Sequence, residues 1–192
     1  MNNNRYRKPE EKKPQLKEEF AIILDIISDN SNSFKSNDII QAIGTTTYTL
    51  LELVAKEGVT LRPGQKVYIG EDKRDEIQYI KRTLTPDKLS GSANSELLFT
   101  LIDIVEDKEE YFIKFFNLGG PITIRKHAFE LIPRIGKKHL RDLIDERNKR
   151  PFKDFKDIEE RCPYLSEPSK AIAQRILIEI EGEDDFKFFT RK

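Results

Sequence analysis

The chain holds one cysteine, Cys162, so it can build neither an internal disulfide nor a cysteine-rich zinc site. A buried, inert thiol is the expectation. Its two histidines, His127 and His139, have no Cys or carboxylate partners at metal-ligand spacing, and a Gly-Lys-Ser/Thr phosphate loop and a nucleophile elbow are also missing. The acidic runs Glu106-Asp107 and Glu181 to Asp185 are interleaved or flanked with lysine and read as solvated surface rather than as Mg²⁺ ligands. The chain therefore reads as non-catalytic. No apolar run approaches the ~20 residues needed to span a bilayer. The opening MNNNRYRKPEEKKP has no apolar stretch of the signal-peptide kind, so a cytoplasmic protein with no membrane partner is expected. Net charge is missing too: 34 basic residues balance 34 acidic ones, which excludes a uniformly basic coat.

The charge that is present is segregated. Thr123 to Arg150 has nine Lys or Arg against four acids, whereas Ser95 to Glu110 has six acids against one lysine. Separated blocks of this kind can put a basic patch on a neutral molecule and steer a polyanion to it. With 35% charged and 37% hydrophobic residues, the composition suits a well-solvated globule, and 192 residues suffice for two small domains.

The pattern along the chain divides accordingly. Residues 1–19 are polar and proline-punctuated, and read as a disordered tail. Phe20 to Ile27 is a short β-branched run, the mark of a strand buried on both faces. A polar loop, Ser28 to Ser33, follows, and then Asp38 to Ile43 as a short edge strand or turn. Thr47 to Val54 reads as a strand with one mixed face, Pro63-Gly64 as a type II turn, and Gln65 to Ile69 and Ile77 to Leu84 as further strands. This predicts a small OB-like β-barrel over 20–85. Beyond Pro86 the period becomes helical, so the fold class is α+β: a barrel followed by an all-α domain over 86–182. Leu97, Leu101, Ile104 and Val105 share one face, Phe112, Phe115 and Phe116 another, and Gly119-Gly120-Pro121 stops the second helix. Two more helices are expected on either side of Ile135-Gly136, then Phe152 to Arg161, then Ser169 to Glu181 with Ile172, Ile176 and Ile180 inward. The acidic and aromatic end, 183–192, reads either as a closing strand at Phe186 to Thr190 that returns to the barrel or as a disordered end.

The informative stretch is HAFELIPRIGKKHLRDLIDER, His127 to Arg147. Pro133 is expected to end one helix, and Gly136 to relieve a very short connection into the next. Free N–H groups at that helix start, the positive end of its dipole, and Lys137 and Lys138 beside them form an anion site. Lys126, Arg134, His139 and Arg141 complete the candidate surface. Contacts of this type touch no base edge, so binding to DNA or RNA would be largely independent of sequence and weakened by salt. In the barrel, Tyr48, Tyr68 and Tyr79 with Lys66, Lys81 and Arg82 are candidates for stacking and contacting a single strand. Half-buried packing is the plainer role for those tyrosines.

Residues Ile132 to Gly136 resemble the hairpin of the helix-hairpin-helix motif of repair and recombination proteins. Arg134 stands where that motif usually has its first glycine. Arg150 to Leu177 is similar to the second half of tandem helix-hairpin-helix domains, and its hairpin, Cys162 to Pro168, lacks glycine and reads as a structural partner. Over Phe20 to Glu181 the chain resembles the archaeal DUF655 family, through TLLELVAKEGVTLRPGQKVYIG, RDEIQYIKRTL, FIKFFNLGGPIT and LIPRIGKKHLRDLIDERNKRPF. That resemblance implies an OB-like barrel followed by tandem helix-hairpin-helix, a nucleic-acid-binding role and no assigned reaction. The motif also implies a monovalent cation, Na⁺ or K⁺, on the carbonyls of Glu130, Ile132 and Ile135, with no other cofactor. The rival function is a protein-interaction adaptor with protein partners.

Overall fold

A computed structural model describes residues 17–27 and 38–190. Residues 1–16 of the polar tail and the Ser28 to Ser33 loop lie outside the described residues. The fold is α+β, a curled five-stranded half-barrel sheet followed by helices. Strands β1 (Phe20–Ile27), β2 (Ile39–Gly44), β3 (Leu50–Ala55), β4 (Lys66–Tyr68) and β5 (Ile77–Thr83) are ordered β4-β1-β2-β3-β5, with each neighbouring pair antiparallel. The segment expected as an edge strand or turn, β2, is the centre of the sheet.

Alternation along the strands gives the sheet two apolar faces. Ala21, Ile23, Ala42, Leu51, Leu53 and Val67 build a cluster on one side. Leu24, Ile43 and Leu50 belong instead to the large cluster that continues into the helices. The β4 approach is a type II turn as expected: Gly64 has φ +79° and the Gln65 N–H donates to the Arg62 carbonyl at 3.2 Å.

The helices are α1 (Gly91–Asp107), α2 (Glu109–Leu118), α3 (Lys137–Lys149), α4 (Phe155–Arg161) and α5 (Pro168–Glu181). Buried Gln41 of β2 joins the two layers: its side chain accepts the Ser90 N–H at 2.8 Å and donates to the Lys88 carbonyl at 3.0 Å. Ser90 in turn caps α1, accepting the Ala93 N–H at 3.0 Å. Leu97, Leu101, Ile104 and Val105 are buried as their spacing requires.

Three expectations about this half need correction. The chain after Pro86 is not wholly helical, because Pro121–Thr123 (β6) and Lys126–His127 (β7) pair as a short ribbon. The element before the hairpin is a single 3-10 turn, Ala128–Leu131, not an α-helix. The C-terminal segment is neither a strand nor loose: Phe189 and Phe188 pack on Phe115 of α2, with ring centroids 5.2 and 5.3 Å away. Among the described residues, no helix is long and apolar enough to cross a membrane.

Candidate nucleic-acid interface

The 3-10 turn at Ala128–Leu131 is held by a reciprocal cap. The His127 ring accepts the Phe129 N–H through Nδ1 at 3.2 Å, and the Glu130 carboxylate accepts the His127 N–H at 2.7 Å. Burial, then repulsion from Arg147, lowers the His127 pKa against the opposing pull of Glu130. The chain then reverses through Ile132-Pro133-Arg134-Ile135, where the Ile135 N–H donates to the Ile132 carbonyl at 3.1 Å. Pro133 takes the first central place of a type II turn and Arg134, at φ +71°, the second. Pro133 therefore shapes the turn rather than ending a helix. The left-handed backbone falls on Arg134, which shows why glycine is favoured there. Gly136 has φ −85°, and a Cβ on it would meet nothing within 4 Å, so the connection itself does not require glycine at 136.

Helix α3 begins at Lys137 with no side-chain cap and no acidic residue in its first turn. Its first hydrogen bond runs from the Leu140 N–H to the Gly136 carbonyl at 2.8 Å, so the amides of 136–139 stand ahead of the helical ladder. Arg134, Gly136, Lys137, Lys138 and Arg141 are all exposed. None of these four cations has an ion pair among the described residues. Of the other five cations of the basic block, Arg125 is exposed and four are engaged. Arg147 donates to the Gly119 carbonyl at 2.6 Å, Lys149 pairs with Glu146, Arg150 pairs with Asp157 at 2.7 Å, and Lys126 lies over the Phe186 ring at 4.9 Å.

His139 is a strut more than a donor. Its Nδ1 lies 3.0 Å from the Arg134 carbonyl, and its ring stacks on Tyr164 with centroids 4.2 Å apart. The Tyr164 hydroxyl donates to the His139 carbonyl at 3.2 Å, so the Cys162 to Pro168 hairpin buttresses the start of α3. Of the three carbonyls implied as cation ligands, that of Ile132 already accepts the Ile135 N–H, and those of Glu130 and Ile135 flank the same turn. Cys162 is buried, and burial pushes its thiol up, as an inert cysteine requires.

The barrel candidates do not converge. Tyr48 is 4% exposed and packs in the large core, so it cannot stack a base, and burial pushes its hydroxyl pKa up. Lys81 and Arg82 each lie 2.8 Å from the Glu52 carboxylate. Burial works against that carboxylate's charge, but hydrogen bonds and charge from Arg82 and Lys81 prevail and lower its pKa. Tyr68 and Lys66 flank Phe20 at the opposite edge: Tyr68 meets it edge-on at 5.4 Å and Lys66 lies over its ring at 5.0 Å. Tyr79 is half exposed on β5. Phe20, exposed beside them, escaped notice because its run reads as pure core.

A family model described as "Protein of unknown function (DUF655)" matches residues 17–191. The chain is 36% identical over 188 residues to an uncharacterised protein of Methanocaldococcus jannaschii, covering 98% of this chain and 86% of the relative. It is also similar to the crystal structure of a DUF655 protein from Archaeoglobus fulgidus, with a TM-score of 0.83 and 34% identity over 91% of this chain and 100% of that one.

Proposed function

The chain belongs to the DUF655 family, and from that premise, which fixes a fold and names no activity, we propose that it is a non-catalytic nucleic-acid-binding protein. It holds sugar-phosphate backbone at the head of α3. The observation that supports this reading is the uncapped helix start ringed by Arg134, Lys137, Lys138 and Arg141, exposed cations with no carboxylate partner among the described residues. Four free amides and the helix dipole favour an anion there, and four positive charges raise its local concentration. Phosphate of DNA or RNA meets both requirements, and backbone contact leaves base sequence unread. Tyr68, Lys66 and Phe20 offer a secondary stacking edge on the sheet.

The test is the affinity for a generic oligonucleotide across a salt series, for wild type and for Lys137→Glu with Lys138→Glu. Each phosphate neutralised contributes a slope of about 0.9 in log K against log salt on duplex DNA. The double variant is expected to bind at least ~10-fold more weakly with a slope shallower by about 2. Equal affinity and slope would refute the phosphate contact and leave the adaptor reading, which predicts no salt-steep binding.

A further inference from the structure

We propose that the loop between β2 and β3, Thr45 to Thr49, is a second oxyanion site, and that Glu18 of the same chain occupies it in place of a phosphate group. Three backbone amides converge on the Glu18 carboxylate. Thr46 N–H donates to Oε2 at 2.7 Å, and Thr47 and Thr49 N–H donate to Oε1 at 2.9 and 3.2 Å. The Thr47 hydroxyl adds a fourth donor to Oε1 at 2.6 Å. Successive amides turned inward by a left-handed residue form an anion-binding concavity. Here that residue is Tyr48, at φ +56°. Tyr48 and Arg134 are the two non-glycine residues with positive φ among the described residues, and each shapes the backbone of an anion-directed turn.

One ammonium stands beside the loop: Lys108 donates to the Thr45 carbonyl and lies over the Tyr48 ring at 5.8 Å. Gly44 makes room for the occupant, since a Cβ at that position would overlap the Glu18 side chain. The loop also opens on a cleft of about 1160 Å³ whose walls carry Thr46, Thr47, Lys17 and Arg74 alongside the acids Glu19, Glu71 and Asp72. A phosphate-bearing ligand lying in that cleft has direct access to the cradle. Four donors and a nearby ammonium match a phosphate oxygen pair as well as a carboxylate. Glu18 competes as a tethered ligand, which sets an effective concentration in the millimolar range against which any free anion must act.

This site is independent of α3, and a residue-resolved titration separates the two. Inorganic phosphate is titrated into wild type, Glu18→Ala and Glu18→Gln while the backbone amide shifts of Thr46, Thr47 and Thr49 are followed beside those of 136–139. In both variants the three threonine amides are expected to shift saturably, with an apparent Kd roughly tenfold or more below wild type. The 136–139 amides should respond alike in all three proteins. An oligonucleotide titration then identifies the source: tighter strand binding in the variants assigns the cradle to a polynucleotide phosphate, and unchanged strand binding assigns it to a small phosphate compound. The proposal is overturned if the folded variants show no greater response at Thr46, Thr47 and Thr49 than wild type. It is equally overturned if both variants lose the native fold, because Glu18 would then be a structural strut and not a displaceable occupant.

Discussion

Arg134 adopts a backbone conformation that glycine holds at lower cost. A non-glycine residue at φ +71° pays about 1–2 kcal/mol, partly offset by the greater chain entropy glycine loses on folding. Arg134→Gly is therefore expected to leave stability unchanged or raise it by up to about 1 kcal/mol in denaturant unfolding. The same variant should weaken oligonucleotide binding and flatten its salt dependence by about 1. Loss of stability without loss of binding would show that the arginine serves packing instead. His127 gives a pH prediction. Its folded pKa lies below the ordinary imidazole value, so the folded state holds fewer protons than the unfolded one. The stability it contributes is present above about pH 6.5 and is lost as pH falls through the folded value. The melting temperature should drop on acidification below about 6.5, and His127→Asn, which keeps a capping oxygen but does not titrate, should flatten that drop. An identical acid response in both proteins would contradict the role of the cap. The sequence pointed to Arg134, Lys137 and Lys138 because cations beside Pro and Gly mark a turn. It misdirected at Tyr48, since an aromatic in a small sheet packs or stacks according to which face the loop presents, and that depends on distant residues.

At the scale of elements, a continuous β-branched run made β1 legible, alternation did so for β3, short runs bounded by turn residues for β4 and β5, and period 3.6 for α1, α2 and α5. Strand β2 was misjudged because IIQAIG is short and ends in glycine, and nothing local says that β1 and β3 both pair with it. The 3-10 turn and the β6/β7 ribbon escaped because the three apolar residues of Ala128–Leu131, with Glu130 among them, fit one helical turn as well as they fit a longer helix. The last segment was ambiguous for a different reason: its anchor is a charge cluster read only in three dimensions. Arg175, 2% exposed, pairs with Glu179 at 2.9 Å and Asp184 at 2.7 Å, and it also donates to the Phe186 carbonyl. Glu179 accepts the Phe189 and Thr190 N–H groups, both at 2.9 Å. Breaking a buried pair strands the remaining charge, so Glu179→Ala should cost about 3–5 kcal/mol in chemical unfolding. It should also expose the amides of 186–190 to hydrogen exchange. A cost under about 1 kcal/mol would mean that the aromatic contacts alone hold the segment.

Across the whole molecule, the zero net charge conceals a division of labour. The acidic block of α1 and α2 is partly spent on internal bonds: Glu106 accepts the Ser169 hydroxyl at 3.0 Å and Glu109 the Phe155 N–H at 2.6 Å. The basic block leaves four cations without an ion pair among the described residues at one helix start, and the large core runs unbroken from Leu24 and Ile43 to α3 and α5 beneath it. That rigid support is what allows an exposed turn to hold its geometry. The most direct measurement of the central claim is a map of backbone amide shifts during titration with a short oligonucleotide at low salt. The account predicts that the largest shifts fall on Gly136, Lys137, Lys138 and His139 and fade as salt is raised. Shifts centred on another surface, with the 136–139 amides unmoved, would contradict it.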